Sequence, residues 1–483
     1  MYLVKFAITG VMSRMKKTKI IATMGPTCSD EATLTEMFLK GVNVIRLNFS
    51  HGTHEDYRNK IALVKKVREK LGLPIALLLD TKGPEYRIAS FENGFVDLAE
   101  GDEFSFTTED IIGNEKRVSV SYKGMISELC KGDIILLNNG LIRFEVKELT
   151  DTDAICVVLD NGRLSDRKSM AFPGKVLKQV YLSEQDKADI LFGAEQDVDF
   201  IACSFVSCAQ DLIDIKNFLG ENNIKGIELI AKIENRSGVD NIEEIMAECD
   251  GIMVARGDLG VEIPYEELPA IQKYLITKCR LMGKRVITAT EMLESMINNQ
   301  RPTRAEISDV ANAVYDGSSA IMLSGETAAG KHPVLAVEAM ARIAEQTEKN
   351  INYKKRFLET EFMIKNTVDA ISHATCTMSI DIEAKAIAVC SISGVTARMV
   401  SRFRTPVDIV GLTADEKAWR KLNLSWGVTP VMCEELPSTE VLFYTAKKLT
   451  KEVFGLKKDD IIIITGGVTG QSGNTNLIKV ESI

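Results

Sequence analysis

With 483 residues, 45% hydrophobic and 26% charged, the chain has the composition of a water-soluble globular protein and is too long for one ordinary core, so two to four domains are expected. A formal net charge of −9 argues against nucleic acid as the main partner, because a phosphate backbone needs a broad basic surface; it leaves room for small anions, which need only a local cluster. No apolar run reaches the ~18 residues that span a bilayer, and the ten cysteines and four histidines form neither C-x2-C nor H-E-x-x-H, which gives zinc little support and fits a cytoplasmic protein whose cysteines are reduced core residues.

Residues 1–17 are mildly apolar, lack a basic n-region and a small-residue cleavage site, and read as a loose extension, upstream of a start at Met15. Residues 18–84 then supply three β-α repeats. K-I-I-A-T-M-G ends at Gly25, V-I-R-L-N-F-S closes on Arg46, Asn48 and Ser50, and I-A-L-L-L-D-T closes on Asp80 and Thr81. Helical patterns fill the intervals at Glu31–Lys40 and His54–Leu71. From 85 to 173 the period changes to short strand-like runs cut by Gly101-Asp102, Gly132-Asp133, Asn139-Gly140 and Asn161-Gly162, which predicts a small β-barrel domain inserted after the third strand as a lid.

From 174 to 346 five further runs end in polar residues: Ser204, Lys232 with Glu234, Arg256 with Asp258, Thr288 with Thr290, and Ser324 with Glu326. Helical patterns at Asp240–Ala247 and Leu268–Met282 separate them. Eight β-α units with polar residues at the carboxyl ends of the strands predict a (β/α)8 TIM barrel whose site lies on that face. Residues 347–483 alternate strands with amphipathic helices at Thr396–Phe403 and Pro437–Val453, which predicts a C-terminal open parallel sheet of the α/β class.

The barrel pattern centres on G-I-E-L-I-A-K-I-E-N, residues 226–235. Residues i and i+2 of a strand share a side, so Ile230, Lys232 and Glu234 lie on one face and Leu229, Ala231 and Ile233 on the other. Charges at the end of an apolar strand mark a ligand or metal site, or else a solvated ion pair; on this stretch alone the two readings are even. Glu234 and Asp258, on adjacent strands, are hard oxygen donors suited to Mg2+ or Mn2+, with pairing to Lys232 or Arg256 as the alternative. Lys232 beside them is a fixed charge for a migrating phosphoryl group or an enolate. Arg46, Arg87 and Arg256 add local positive charge, with a structural bridge to a barrel carboxylate equally open for Arg256. Asn48, Ser50, Asp80 and Thr81 offer oxygen donors with one formal charge, a set for a large monovalent cation or, equally, helix caps. Two loops are candidate anion seats: Ser391–Thr396 (S-I-S-G-V-T) at a helix start, and the glycine-rich 466–473. A plain turn is the favoured reading of the second, and the strand following Gly473 excludes a dinucleotide fingerprint.

These segments resemble pyruvate kinase: M-G-P-T-C-S-D at Met24, R-L-N-F-S-H-G at Arg46, L-D-T-K-G-P-E at Leu79, I-A-K-I-E-N at Ile230, D-G-I-M-V-A-R-G-D-L-G at Asp250, T-E-M-L-E-S-M at Thr290, R-P-T-R-A-E at Arg301 and I-M-L-S-G-E-T-A at Ile321. The resemblance runs from about residue 18 to 483. It implies transfer of the phosphoryl group of phosphoenolpyruvate to ADP, giving ATP and pyruvate, by a cytoplasmic homotetramer with no nucleic-acid or membrane partner. It further implies Glu234 and Asp258 as Mg2+ ligands and Asn48, Ser50, Asp80 and Thr81 as K+ ligands. Lys232, Thr290 and Ser324 become the catalytic groups. Arg46, Ala255, Arg256, Gly257, Asp258 and Thr290 would bind phosphoenolpyruvate, and Asn48, Arg87 and Lys168 the nucleotide. Ser391, Ser393, Gly394, Thr396 and Gly470 become effector-binding. Glu85 stands where K+-independent relatives tend to carry lysine, which predicts a need for K+. Ile392 and Val395 stand where relatives that bind fructose bisphosphate carry polar or basic residues, and the Gly466 loop lacks their tryptophan and arginine. The expected effector is therefore a sugar monophosphate or AMP. A metal-dependent pyruvate-enolate lyase and a catalytically silent phospho-ligand sensor are the competing readings; the inserted domain and the Asn48/Asp80 cluster oppose the first, and intact Lys232, Glu234, Asp258 and Thr290 the second.

Overall fold

The computed structural model describes residues 16–50, 52–175, 177–467 and 475–483. The eight runs form parallel strands β1 (Lys19–Thr23), β2 (Val44–Asn48), β3 (Ala76–Asp80), β4 (Phe200–Cys203), β5 (Glu228–Ile233), β6 (Gly251–Ala255), β7 (Arg285–Ala289) and β8 (Ala320–Leu323). Each pairs with its neighbours in chain order, and β8 returns to β1 with Lys19 opposite Ala320, closing the barrel. Ile21, Val44, Leu78, Phe200, Ile230, Met253, Ile287 and Met322 fill the interior, whereas Ile20, Ile45, Leu77, Ile201, Leu229, Ala231 and Ile233 pack outward against the helices. Alternation is what extended backbone dictates, and the parity read for 229–234 is the observed one.

The helices over the strands start and stop as their caps require. His54–Leu71 opens with Thr53 accepting the Asp56 N–H while the Asp56 carboxylate takes the Thr53 N–H at 2.9 Å, and it ends on left-handed Gly72. The helix expected over 240–247 is observed at Ile242–Glu248 and is preceded by a short helix, Arg236–Asp240, begun by Asn235 Oδ1 accepting the Gly238 N–H at 2.7 Å. Strand β6 stops at Ala255, and residues Arg256–Glu262 coil into a short helix that puts Asp258 in a first turn rather than on a strand.

Between β3 and β4 the insert forms a seven-stranded sheet whose edges are Tyr86–Arg87 and Arg117–Ser119. The two edges meet through an Ile88–Val120 bridge, with Ala89 N–H donating to Ser119 O (2.9 Å) and Ser121 N–H to Arg87 O (2.8 Å). The sheet is thereby rolled into a small barrel around Phe104, Phe106 and Phe144. In the C-terminal unit, Val428–Met432, Asp408–Thr413, Ala386–Cys390 and Ile461–Gly467 are parallel in that order, while Thr475–Ser482 runs antiparallel beside the last of them. The fully parallel expectation fails there because the connection 468–474 is too short for a crossover. Every cysteine is a free thiol, most of them buried, and no helix among the described residues is long and apolar enough to cross a membrane.

The C-terminal unit seals the amino end of the barrel. Helix Glu416–Leu422 places Arg420 Nε 2.8 Å from Asp199 Oδ1 and Arg420 Nη2 2.7 Å from Asp197 Oδ2, while Asp199 Oδ2 accepts the Leu77 N–H at 2.9 Å. Asn423 Nδ2 donates to Asn43 O and Pro74 O, and Leu424 is buried in the barrel-interior cluster. Arg420→Ala strips the buried Asp199 carboxylate of its counter-charge and should destabilise the protein by about 3–5 kcal/mol in chemical denaturation, far more than removal of an exposed arginine; a loss below about 1 kcal/mol would show the pair to be dispensable.

Candidate active site

The carboxyl ends of β3, β4 and β5 stand in register, with Ala202 opposite both Asp80 and Ile230. This alignment brings three charged side chains and one hydroxyl together. Lys232 Nζ lies 3.0 Å from Asp80 Oδ1, 2.9 Å from Glu234 Oε1 and 2.6 Å from Ser204 Oγ, with only 8% of the residue exposed. Arg46 from β2 pairs through Nε with the other Asp80 oxygen at 2.5 Å and donates from Nη1 to Thr23 Oγ1 at 3.1 Å. Gly83 has a φ of +67°, and a Cβ there would meet Ser204 Cβ at 2.9 Å, so the turn after β3 needs glycine to pass the hydroxyl that holds Lys232.

Burial pushes the Asp80 carboxyl upward, but Arg46 and Lys232 outweigh it and hold the group below the usual carboxylate range. Burial opposes the Lys232 charge as well, and Asp80 and Glu234 overcome it, so the ammonium is held more firmly than in water. Glu234 behaves oppositely. Burial, which Lys232 only partly offsets and the nearby Asp258 reinforces, lifts it to about 7. Its Oε2 accepts the Phe205 N–H at 2.6 Å, and its buried Oε1 is the oxygen that faces Lys232 Nζ at 2.9 Å.

Glu234, whose Oε1 faces Lys232 and whose Oε2 takes the Phe205 N–H, and exposed Asp258 are the hard oxygen donors a divalent cation fits. Among the described residues no group of three His, Cys, Asp or Glu could hold a metal, so an ion here would have two protein ligands and an outer shell left to water and substrate oxygens, as Mg2+ prefers. Asn48 and Asp80 are register partners on β2 and β3, and the Ser50 N–H donates to Asn48 Oδ1 at 3.3 Å. The Thr81 hydroxyl is buried, donating to Ala202 O and accepting the Ser204 N–H, and the Thr81 carbonyl accepts the Ser204 hydroxyl at 2.6 Å.

Arg256 makes the bridge to a barrel carboxylate that was one of the two readings open for it. Its Nη1 pairs with Asp309 at 2.7 Å, and its other nitrogens donate to the Ala289, Thr290 and Glu291 carbonyls. The guanidinium thus buttresses the loop after β7, and only the 255–258 backbone remains for a ligand. In that loop Thr290 has a φ of +69° and Glu291 of +52°, a left-handed pair that is strained for a β-branched residue. The Thr290 hydroxyl accepts the Gly257 N–H at 2.6 Å and donates to Ala289 O at 2.6 Å. At the end of β8, Ser324 Oγ is buried without a protein partner, and the buried Glu326 carboxylate accepts the Leu293 and Ser324 N–H groups at 3.0 and 2.7 Å, tying the β7 and β8 loops together.

A cavity of about 310 Å³ separates the lid from the barrel mouth, lined by Glu85, Ser169, Phe172, Glu234, Asp258 and Glu262 among others. Ser169 stands opposite Arg87 in the lid ladder, with Lys168 next to it in sequence. Arg87 is held by Glu85 at 2.5 Å and by Arg167 O at 2.7 Å. Glu262, which the sequence reading missed, accepts the Phe172 N–H at 3.3 Å and, chiefly through burial, rises to about 7. Asp309 was without a sequence signal for its role; Ser204 and Glu326 were visible only as strand-end polar residues. In the C-terminal unit Ser391, Ser393 and left-handed Gly394 lie before helix Val395–Ser401, but the Thr396 hydroxyl is turned inward onto Thr475 at 2.6 Å and so is structural rather than effector-facing. Gly470 lies outside the described residues.

The geometry has close counterparts. The family model for the pyruvate kinase barrel domain matches residues 15–337, and that for the pyruvate kinase alpha/beta domain matches residues 369–481. The chain is 43% identical to a pyruvate kinase of Clostridium acetobutylicum across 97% of this chain and 100% of that one. It is 44% identical to a pyruvate kinase of Bacillus licheniformis across 96% of this chain and 80% of the relative. A crystal structure of a pyruvate kinase from Cryptosporidium parvum aligns with a TM-score of 0.92 at 36% identity, covering 97% of this chain and 96% of that one. A barrel interrupted after its third strand and closed beneath by an α/β unit, matched over nearly its full length, places the chain in the pyruvate kinase family.

Proposed function

We propose that the chain transfers the phosphoryl group of phosphoenolpyruvate to ADP, yielding pyruvate and ATP, and that it works with a divalent ion and K+ on a barrel of residues 18–84 and 174–346, under a lid of residues 85–173, with 347–483 as the regulatory unit. The observation that carries this reading is the buried Lys232 ammonium, fixed by Asp80, Ser204 and the Glu234 that lines the cavity. Phosphoryl transfer asks a protein for position and charge rather than covalent chemistry, and a desolvated, immobile cation supplies both. Arg46, held by Asp80, adds a second fixed charge on the neighbouring strand. The start of helix Arg256–Glu262 presents backbone N–H groups to a phosphate or carboxylate, with Thr290 clamped against Gly257. Ser324 Oγ, buried and without a protein partner, is the chain's candidate for passing a proton to the enolate carbon once the phosphoryl group has left. A divalent ion held by Glu234 and Asp258 supplies neutralisation of the phosphate oxygens.

Fully ionised, the mouth sets Arg46 and Lys232 against Asp80, Glu234 and Asp258, which leaves negative charge in excess. Two polyanionic substrates cannot converge on it unless cations join them, and this favours Mg2+ at Glu234/Asp258 and K+ at the Asn48–Thr81 end of β2 and β3. The lyase reading provides no use for a lid that carries Arg87 and Lys168 over the cavity.

Lys232→Met should lower kcat by ~10³-fold or more while phosphoenolpyruvate and Mg2+ still bind, because the ammonium acts most strongly where charge develops. Steady-state kinetics with direct binding measurements decide it; a loss confined to KM would remove Lys232 from the transition state. Because burial lifts the Glu234 carboxyl above the usual carboxylate range, Mg2+ should displace more proton from it at pH 6.5 than at pH 8.5, so apparent affinity should fall as pH drops. Calorimetry in two buffers of different ionisation heat reads the released proton directly, and equal release at both pH values would contradict the assignment. Turnover should also depend on K+ when compared with a bulky organic cation at matched ionic strength. Glu85, at the cavity wall and paired with Arg87 and Ser169, offers no positive charge of its own. Glu85→Lys should restore part of the K+-free rate, and a wild-type rate indifferent to K+ would end the argument.

A further inference from the structure

Between the amino end of the barrel and the C-terminal unit lies a second small cavity walled by Arg280, Lys284 and Arg285 from the barrel and Arg398, Arg402 and Arg404 from the C-terminal unit. No carboxylate is in the wall. Such a crowd of buried cations is unfavourable unless each is paired, and the pairing here is incomplete. Glu228 takes Arg285, Asp250 reaches Arg398 only at 3.5 Å, and Asp369 reaches Arg402 at 3.3 Å. Lys284 reaches only a carbonyl, Cys249 O at 2.6 Å. Among the described residues Arg280 and Arg404 form no ion pair. Arg404 leans instead on the Ser401 and Gly317 carbonyls, the Ser319 hydroxyl and the Trp426 ring. Glu348, the carboxylate whose field reaches Arg404, is already taken by the Lys17 and Thr18 N–H groups at 2.8 and 2.6 Å.

The hydrogen-bond accounting agrees with the charge accounting. The Nε groups of Arg280, Arg285, Arg398, Arg402 and Arg404 are all buried and all without an acceptor in the protein. A handful of unsatisfied buried donors scattered over a chain of this length is ordinary, but this many in one wall is not. Burial and then the neighbouring Arg280 press Arg404 down to about 9, and burial and Arg356 press Arg280 down to about 10, as expected where like charges face each other without a counter-ion. The Ser391–Thr396 loop is on the other side of Arg398: a neighbouring cavity lined by Ser393, Gly394 and Val395 shares only Arg285 and Arg398 with this one.

We propose that this arginine-walled cavity is a binding site for one small inorganic anion, of the size and charge of chloride, which bridges the barrel and the C-terminal unit. Size limits the ligand, since the cavity is small and has no room for a sugar phosphate or nucleotide. Charge and donor type select an anion over water, which would accept hydrogen bonds but leave the positive charge uncompensated. Since donors come from both units, occupancy stabilises their docking rather than either unit alone.

The test uses the intact protein. Crystals soaked in sodium bromide should give an anomalous peak inside the cavity, within hydrogen-bonding reach of Arg404 and Arg402. In thermal unfolding, replacing gluconate by chloride at constant ionic strength should raise Tm by about 2–4 °C, with the rise following the logarithm of chloride concentration. Arg280→Met, at the half-buried rim, should abolish that chloride-dependent rise while leaving the basal activity in gluconate unchanged. Lack of a bromide peak, equal Tm in the two salts, or an undiminished chloride effect in Arg280→Met would each overturn the proposal. A stabilisation seen with phosphate but not chloride would overturn the size assignment.

Discussion

The buried Lys232 ammonium is the interaction on which the remainder of the molecule depends. An amine so enclosed would lose its proton in an apolar core; it stays charged because Asp80 and Glu234 arrive at 3.0 and 2.9 Å from β3 and β5. Those distances are set by strand register. A slip of one residue in β3, β4 or β5 would turn Asp80, Ser204 or Lys232 to the outer face and leave the others uncompensated. The requirement runs backward through the fold: closure of the barrel fixes register, and the apolar interior below the mouth fixes closure. The charged floor is stable only on a barrel that is already complete.

The strands were legible because their period of two is local. Alternation in 229–234 alone put Lys232 and Glu234 on one side, and the interior contains Ile230 as that parity requires. Asp258 was identified as a residue but placed on the wrong kind of element, because the short helix Arg256–Glu262 follows β6 without a loop to announce it. The two readings of Arg256 stayed open in the sequence for a different reason. A guanidinium reaches several ångströms, and its partner Asp309 sits on a helix whose position relative to β6 only the closed barrel determines. The left-handed Thr290 and Glu291 left no trace in composition, since neither residue type advertises that conformation. The added short helix Arg236–Asp240 turned on one Asn235 side chain that closes a turn three residues on.

The helix Arg256–Glu262 touches both parts of the mouth. Its first turn carries Asp258 beside Glu234, and its last residue accepts a hydrogen bond from Phe172 just before Pro173 and Gly174, where the chain leaves the lid. Gly174 takes a φ of +74°, so the backbone turns sharply there and rejoins the barrel. Tyr86, at the other point where the chain crosses between lid and barrel, meets Phe172 edge-on at 5.4 Å. The two crossing segments are thus packed on each other and on the element that bears a candidate metal ligand, so lid position and carboxylate position share one support.

Leu424 belongs in sequence to the C-terminal unit and in packing to the interior of the barrel. The usual modularity of a barrel, in which the eight units suffice for the core, does not hold for this molecule. A barrel excised at residue 346 would have an open apolar floor and, in Asp199, a carboxylate stripped of Arg420. Exchange of C-terminal units between related chains is therefore constrained by this side chain: a foreign unit has to bring an apolar plug of matching volume at this position, and recombination points that separate the plug from the floor it fills will be selected against.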